Sequence, residues 1–258
     1  MNNLITQWQN FLLVSLRASC LLLFVPPWDS RLIPTPIRVF SILGLSLALT
    51  PVVASSLPPF PATWGAGVIL VLREFLLGLG WGLVFHFLFA GIQMAANLVA
   101  IQMGFGMAIV LDPQTQAQNT LLAKMLVLFA TLIFLTMNGH HVLLRLLVQS
   151  FQEVPMKAGI SLPGSLFVYV PSLGRLMFNL AVQLLAPVLA LLFLTQVALG
   201  LVARAVPQIQ IMIVGFPLTI ALGLFFLSFT LMVAGPVLMD QFIFLKHPLA
   251  QILRAWKN

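Results

Sequence analysis

Acidic and histidine side chains, from which most catalytic and metal sites are built, are scarce in this sequence. Its 258 residues include five acids and four histidines. His140 and His141 are adjacent, so on a helix they would point about 100° apart and could not chelate one metal ion by themselves. The motifs HExxH, GxSxG and GxxxxGKS do not occur, so zinc-protease, serine-hydrolase and P-loop ATPase functions have no support. We therefore predict a protein that is not an enzyme and binds no metal or cofactor.

Charged side chains inside apolar runs are the remaining candidates for ion or proton chemistry. Glu74 is preceded by Arg73 near a predicted helix start, and we interpret it as a charge at the membrane interface. Arg17 and His86 lie within apolar runs, and each is expected to pair with a carbonyl or an acid rather than with a transported ion. The sequence shows no proton relay.

The composition is that of a membrane protein. Apolar residues make up 61% of the chain and charged residues 7%, far below the charged share of a soluble domain. The net charge of +7 comes from singly placed Lys and Arg, as expected for residues that anchor segment ends. Cys20 is the single cysteine, which excludes a disulfide within the chain. We predict an integral membrane protein, or a core piece of a membrane assembly.

The apolar runs and their breakers predict about six long helices and no separate soluble domain. Pro34 and Pro36 exclude a helix interior before the second helix, and a connection from Pro155 to Pro171 precedes the fifth. A shorter helix, ending at Phe151, follows the fourth. The predicted long helices are Leu4–Val25, Val39–Ala54, Val68–Met103, Leu121–Met137, Leu176–Leu201 and Ile211–Leu238.

The third predicted helix is unusually long and becomes polar toward its end. Its length would be roughly 54 Å, more than the ~30 Å hydrocarbon core of a bilayer, so it must tilt, kink or extend beyond the membrane. Gln93, Asn97 and Gln102 lie in its second half. These amides either join helices to one another or line an aqueous path.

The stretch GFGMAIVLDPQTQAQNT, Gly104 to Thr120, ends this helix and is the most polar part of the chain. Its first half is nonetheless small and apolar, as in a loop that packs into a cavity. A second break, RAVPQIQ, separates two of the most apolar runs near the carboxyl end. Pro207 ends the incoming helix there, and the neighbouring Arg204, Gln208 and Gln210 can be solvated or meet a partner.

Six simple crossings conflict with the usual distribution of charge. Both termini would lie on one side, and Lys246, Arg254 and Lys257 would then be external, against the positive-inside tendency. Either the number of crossings differs from six or some segments form hairpins that do not simply span the membrane.

Four blocks, in order, resemble the FliR family of flagellar type III export proteins. The family is also related to the T-type export apparatus protein of virulence type III secretion. The resemblance covers nearly the whole chain, and the order of the blocks is more specific than any one of them. The blocks are IPTPIRVFSILGLSLALTP (Ile33–Pro51), NLVAIQMGFGMAIVLDPQ (Asn97–Gln114), FLTMNGHHVLLRLLVQSFQEVP (Phe134–Pro155) and LGLVARAVPQIQIMIVGFPLTIALGL (Leu199–Leu224).

The resemblance implies a structural subunit of the export gate at the base of the flagellar basal body, in the bacterial inner membrane. FliP-like and FliQ-like subunits and an FlhB-like protein would be its partners, and unfolded flagellar proteins its cargo. The fold would be all-α, with helices in bent hairpins. Residues 1–175 would be FliP-like, with a plug loop at 104–119. Residues 176–258 would form a FliQ-like hairpin, about Leu180–Leu238, and a tail.

Two sites follow from the resemblance. The loop at 104–118 would plug the closed channel, with apolar side chains supplying bulk and two glycines near its start supplying backbone freedom; the alternative is that it packs on a neighbouring helix. The turn near Arg204–Gln210 would face a partner; the alternative is a solvated turn. The implied plug residues are Gly104, Phe105, Gly106, Met107, Ile109, Val110, Leu111, Asp112 and Pro113, and the implied turn residues are Arg204, Pro207, Gln208 and Gln210.

A small-solute or ion transporter is the competing class of function. A transporter of that kind is expected to show internal repeats, broken helices and a polar or charged site at the membrane midplane. The sequence shows neither a clear inverted repeat nor a convergent ionic site, so the export-gate function is favoured.

Overall fold

The computed structural model describes residues 2–25, 33–53, 63–105, 121–154, 166–206 and 211–244. All regular secondary structure within these ranges is helical, which confirms the all-α prediction. The helices are α1 (Asn2–Leu22), α2 (Thr35–Val53), α3 (Trp64–Gln102), α4 (Leu121–Thr136), α5 (Gly139–Glu153), α6 (Leu166–Ala205) and α7 (Ile211–Phe244).

Helices α2 and α6 begin earlier than the sequence predicts because the prolines near their starts were given too much weight. Helix α2 starts at Thr35, so Pro36 is its second residue. A proline is tolerated there because a first-turn N–H has no acceptor within the helix. Helix α6 starts at Leu166 and continues through Pro171, which the sequence places in a connection. Helix α7 likewise contains Pro217 and Pro236, as membrane helices often do.

Helices long and apolar enough to cross a membrane account for much of the described chain. Four helices meet this condition by length and composition, and the pair α4–α5 would make a fifth if counted as one bent span. Helix α3 has 39 residues, which corresponds to roughly 58 Å. The chain is a multi-pass helical membrane protein.

A sharp break separates α4 from α5. The two helix axes differ in direction by 66°, and Asn138 at the break has a left-handed backbone, with φ 56° and ψ 31°. Asparagine adopts this conformation more readily than other residues that carry a Cβ. The Asn138-Gly139 pair, which the sequence places at the end of the fourth helix, thus turns the chain directly into the shorter helix.

The chain divides into two compact units. The first contains Met1–Phe87, Phe134–Leu173 and Phe242–Asn258, and the second contains Leu88–Ile133 and Gly174–Gln241. The two units reflect packing within the chain. The boundary near residue 175 between FliP-like and FliQ-like parts remains a prediction.

In the first unit, α1 packs against α2, and α2 also contacts α5. Helix α3 approaches α1 closely at two glycines one turn apart. A Cβ on Gly78 would stand 2.7 Å from Cys20 Cβ and 3.0 Å from the Arg17 carbonyl oxygen. A Cβ on Gly82 would stand 2.9 Å from the Cys20 carbonyl oxygen. Such small-residue contacts let two helix backbones approach within a membrane.

In the second unit, the end of α3 packs with α6 and α7. A Cβ on Gly91 would lie 2.8 Å from the Met177 carbonyl oxygen, so α3 and α6 also meet at a glycine. Mostly aliphatic side chains fill the space between the helices of this unit. Its most buried members include Leu88, Ala96, Ala123, Val188 and Leu192.

Candidate functional site

The carboxyl-terminal end of α3 is where the predicted plug loop begins. The Phe105 N–H donates to the Ala100 carbonyl at 3.0 Å, and the Gly104 N–H donates to the Ile101 carbonyl at 3.0 Å. Gly104 has φ +94°. This pair of bonds, with a left-handed glycine, is the Schellman motif that ends many helices. The predicted stop of the helix at Gly104 is therefore confirmed, and its cause is the glycine's access to positive φ.

The next two carbonyls at this helix end are satisfied by other helices of the same unit. The Gln196 side-chain amide of α6 donates to the Gln102 carbonyl at 3.1 Å. The Thr219 hydroxyl of α7 lies 3.3 Å from the Met103 carbonyl and 3.1 Å from the carbonyl of Phe216 in its own helix. The final four carbonyls of a helix have no partner within it. Here each of the four, from Ala100 to Met103, has a donor within hydrogen-bond distance, and the Met103 carbonyl shares the single Thr219 hydroxyl proton with the Phe216 carbonyl.

Side chains of α7 enclose the same helix end. Met103 is fully buried, and a Cβ on Gly223 would lie 2.5 Å from its Cγ. A Cβ on Gly104 would lie 2.6 Å from Cδ1 of Phe216. A larger residue at Gly223 would therefore require the Met103 side chain to move, and one at Gly104 would require the Phe216 ring to move.

Most of the predicted plug lies outside the described residues. Gly104 and Phe105 are described, and both are partly buried. The role of the segment as a plug stays a prediction. The plug residues outside the described ranges are Gly106, Met107, Ile109, Val110, Leu111, Asp112 and Pro113.

Three amides on α3 were predicted either to join helices or to line an aqueous path. Gln93, Asn97 and Gln102 are each half-buried. The side-chain oxygen of Gln102 is buried and has no hydrogen-bond partner among the described residues, although its backbone carbonyl is bonded to Gln196. The choice between helix contact and an aqueous path stays a prediction for all three residues.

The predicted turn of the carboxyl-terminal hairpin is partly described. Helix α6 ends at Ala205, and α7 begins at Ile211. Arg204 in the last turn of α6 is exposed, whereas Pro207, Gln208 and Gln210 lie outside the described residues. A partner-facing role for this turn stays a prediction.

A buried ion pair in the first unit was not predicted as a pair. Arg17 Nε donates to Glu74 Oε2 at 2.6 Å, and Arg17 Nη2 lies 2.5 Å from the same oxygen. Both side chains are 1% exposed. The expectation that Arg17 meets an acid is confirmed. The interfacial interpretation of Glu74 was wrong, because α3 begins at Trp64 and places Glu74 in its third turn, against α1.

The same guanidinium also reaches α5. Arg17 Nη1 donates to the Ser150 hydroxyl at 3.1 Å, and Nη2 lies 3.5 Å from the Val154 carbonyl. Its central carbon lies 4.1 Å from the centre of the Phe151 ring, a cation–π distance. The only sequence signal for this cluster was the occurrence of one base and one acid within separate apolar runs, 57 positions apart.

Other features that could indicate chemistry are absent from the described parts of the chain. There, no group of three or more His, Cys, Asp or Glu side chains could hold a metal ion. His86 is exposed, and its ring makes an edge contact with Phe24 instead of meeting an acid. Sequence reasoning missed four residues that contact the end of α3, because an isolated polar or small residue in an apolar run is a weak signal. They are Gln196, Phe216, Thr219 and Gly223.

The fold and the capped helix end define a helical membrane protein that has no recognisable catalytic centre among its described residues. A model of the family described as "Bacterial export proteins, family 1" matches residues 8–244. The chain therefore belongs to this family, the FliR family, as the four sequence blocks predict.

Three relatives illustrate the extent of the similarity, and each is named flagellar biosynthetic protein FliR. The protein from Bacillus subtilis (strain 168) is 36% identical over 227 residues, which cover 86% of each chain. The protein from Escherichia coli (strain K12) is 31% identical over 245 residues, 92% of this chain and 90% of its own. That from Caulobacter vibrioides is 28% identical over 244 residues, 94% and 97% of the two chains.

Proposed function

We propose that this protein is a non-enzymatic core subunit of the flagellar type III export gate in the bacterial inner membrane, at the base of the flagellar basal body. The observation that supports this most is the family match across residues 8–244, together with relatives named for flagellar biosynthesis that align over most of their length. Several helices long enough to span a membrane agree with such a role.

The proposal is tested by deleting the gene in the bacterium that carries it and measuring secretion of hook and filament subunits. We expect the subunits to be made in the cytoplasm but to be absent from the medium, and a plasmid copy of the gene to restore secretion. Normal secretion in the deletion strain would overturn the proposal.

The partners that we propose are FliP-like and FliQ-like subunits and an FlhB-like protein, with unfolded flagellar subunits as cargo. Large apolar side chains of α6 and α7 lack cover within the chain, so either lipid or partner subunits must cover them. Leu201 is 65% exposed and Met232 is 80% exposed. Purification of the tagged protein in mild detergent should bring down the gate subunits; recovery without any of them would contradict this part of the proposal.

We also propose that the segment at 104–118 plugs the closed channel. Its support is the sequence, since FGMAIVL is apolar, follows Gly104 and precedes a polar tract. The described start of the segment adds that the chain leaves α3 at a fixed, fully capped point. Removal of the segment should raise ion leakage through an assembled gate.

A further inference from the structure

We propose that a groove between α1 and α2 in the first unit binds the acyl chain of an anionic phospholipid, whose phosphate lies beside Arg38. The site is a property of this chain in a membrane and goes beyond the export function proposed above. It would exist whether or not the protein belongs to an export gate, so the two proposals can fail separately.

The groove is lined mostly by apolar side chains, and its outer walls are open. Its volume is about 620 Å³, within the range of small-molecule sites in proteins. Leu13 and Ile42 of its lining are buried, whereas Leu12, Val39 and Val71 are 61%, 47% and 42% exposed. An apolar occupant would therefore cover large side chains that the chain itself leaves uncovered.

The two serines that line the groove use their hydroxyl protons within α1. Ser15 donates to the Leu12 carbonyl and Ser19 donates to the Leu16 carbonyl, each at 2.8 Å. The polar side chains of Gln9 and Thr35 lie where the lining segments of α1 and α2 begin. The middle of the groove thus presents hydrocarbon, and not hydrogen-bond donors, to an occupant.

The width of the groove favours a single hydrocarbon chain over a helix of a partner protein. The α1 wall extends from Gln9 to Leu23, roughly 21 Å. Spread over that length, 620 Å³ gives a cross-section of about 30 Å², or a width of about 6 Å. A helix with its side chains is about 10–12 Å across. It would lie over the groove, whereas an acyl chain, one methylene thick, can lie within it.

The energetics in a bilayer separate what fills the groove from what selects the lipid. Lipid tails are as apolar as the groove walls, so entry of a chain brings no hydrophobic gain. Occupation is favoured because an unfilled groove forfeits dispersion contacts along its walls. Those contacts are similar for all phospholipids, so any preference among lipids depends on the headgroup.

Arg38 is the one charged side chain among the described residues that line the groove. It lies in the first turn of α2, and its Nε donates to the Ile33 carbonyl at 2.9 Å. Helix α2 has 19 residues, roughly 28 Å, which matches the ~30 Å hydrocarbon core and places its first turn at the level of the headgroups. A basic side chain at that level attracts anionic lipids, and the guanidinium fork matches the geometry of a phosphate.

The test captures the occupant by light-induced cross-linking from p-benzoylphenylalanine placed at Leu43, which lines the groove. The full-length protein, with the subunits that accompany it on purification, is studied in vesicles of equal phosphatidylglycerol and phosphatidylethanolamine. The reference position is Leu47, one turn further along α2, which is 66% exposed and does not line the groove. We expect phospholipid adducts at Leu43 with a higher proportion of phosphatidylglycerol than at Leu47. Protein adducts at Leu43, or equal lipid proportions at the two positions, would overturn the proposal.

Substitutions of Arg38 test the role of its charge in the same assay. Arg38→Gln should lower the ratio of phosphatidylglycerol to phosphatidylethanolamine adducts at Leu43 by roughly five-fold, the contribution of one basic residue near anionic lipid. Arg38→Lys should keep most of the preference, although it lacks the Nε donor to Ile33. Arg145→Gln, at an exposed position of α5, is the control. Equal losses in the Gln and Lys variants, or an unchanged ratio in Arg38→Gln, would contradict the role of the charge.

A pair of neighbouring substitutions tests occupation of the groove independently of charge. Val39 lines the groove, whereas Phe40 is 74% exposed and does not. Val39→Trp should reduce the total yield of phospholipid adducts at Leu43 several-fold by filling the space, and Phe40→Trp should leave the yield unchanged. Equal yields would show that the acyl chain does not lie in the groove. None of these outcomes alters the secretion test of the gene deletion, so failure of the lipid site is distinguishable from failure of the export function.

Discussion

At the residue scale, Arg17 of α1 contacts two other helices of the first unit. Its guanidinium binds Glu74 of α3 and Ser150 of α5, and it lies over the Phe151 ring. Two opposite charges that are both 1% exposed offset each other only while the pair is intact. Removal of one partner would leave a buried charge without its counterion, so Arg17 and Glu74 depend on each other at the contact between α1 and α3.

Glu74→Gln should destabilise the protein by about 3–5 kcal/mol, because it leaves the Arg17 charge buried without an anion. The double variant Arg17→Met/Glu74→Met should lose much less, since it removes both charges and retains similar volume. The check is the midpoint of thermal unfolding of the purified gate complex. Arg145→Met, at an exposed position of α5, is the control and should leave the midpoint unchanged. Equal losses in the single and double variants would show that packing, and not charge pairing, determines the effect.

At the element scale, glycines and one asparagine set the geometry of the helices. Gly78 and Gly82 permit α3 to approach α1, whereas Gly80 between them has nothing within 4 Å of a Cβ. Asn138 takes the left-handed conformation at the 66° break between α4 and α5. A close helix contact restricts Gly78 and Gly82 but not Gly80, and a left-handed backbone restricts Asn138. Substitutions at restricted and unrestricted positions can therefore be compared.

Gly78→Ala should destabilise the protein by about 1–3 kcal/mol, the usual cost of overpacking. The added Cβ would meet the Cys20 side chain and the Arg17 backbone, and a backbone cannot move aside as a side-chain tip can. Gly80→Ala should be neutral or slightly stabilising, because alanine has the higher helix propensity. Thermal unfolding of the two variants in the same detergent makes the comparison; a loss at Gly80 as large as that at Gly78 would contradict the close approach.

Asn138→Val should cost about 1–2 kcal/mol, since a β-branched residue is strained at φ 56°. Asn138→Gly should be tolerated, because glycine adopts positive φ without a Cβ clash. The yield and unfolding midpoint of the two purified variants are the measurements. The prediction fails if Asn138→Val is as stable as Asn138→Gly.

The helices themselves could be predicted because apolar runs and breakers act locally. The end of α3 follows from Gly104, whose positive φ stops the helix, and the break before α5 falls at Asn138-Gly139. The starts of α2 and α6 could not be predicted from prolines alone, because a proline's missing N–H costs nothing in a first turn and can be accommodated in a membrane helix.

The contacts between distant residues could not be predicted. Arg17 and Glu74 are 57 positions apart, and Met103 and Thr219 are 116 positions apart. Periodicity within one sequence reports which face of a helix is apolar, but it does not report which helix covers that face. The pairing of α3 with α6 and α7 at the start of the predicted plug therefore emerges only from the fold.

At the scale of the whole molecule, the chain has the properties of a subunit. Its charged share is 7%, and large apolar side chains on α6 and α7 remain open, with Phe193 59% and Phe225 67% exposed. Lipid or partner subunits must cover this surface, because a monomer in water rarely exposes so much. The membership in an export-protein family and the long helices agree with a place in a membrane assembly.

The central claim is that the segment after α3 closes a protein-conducting channel. The most direct test is deletion of Gly106–Gln114, with export of flagellar subunits and leakage of small ions across the inner membrane measured in the same cells. We predict raised leakage while the gate still assembles, because the apolar seal is removed and the cap of α3 remains. An assembled gate with unchanged leakage would contradict the claim, and loss of assembly would show that the segment packs as part of the structure.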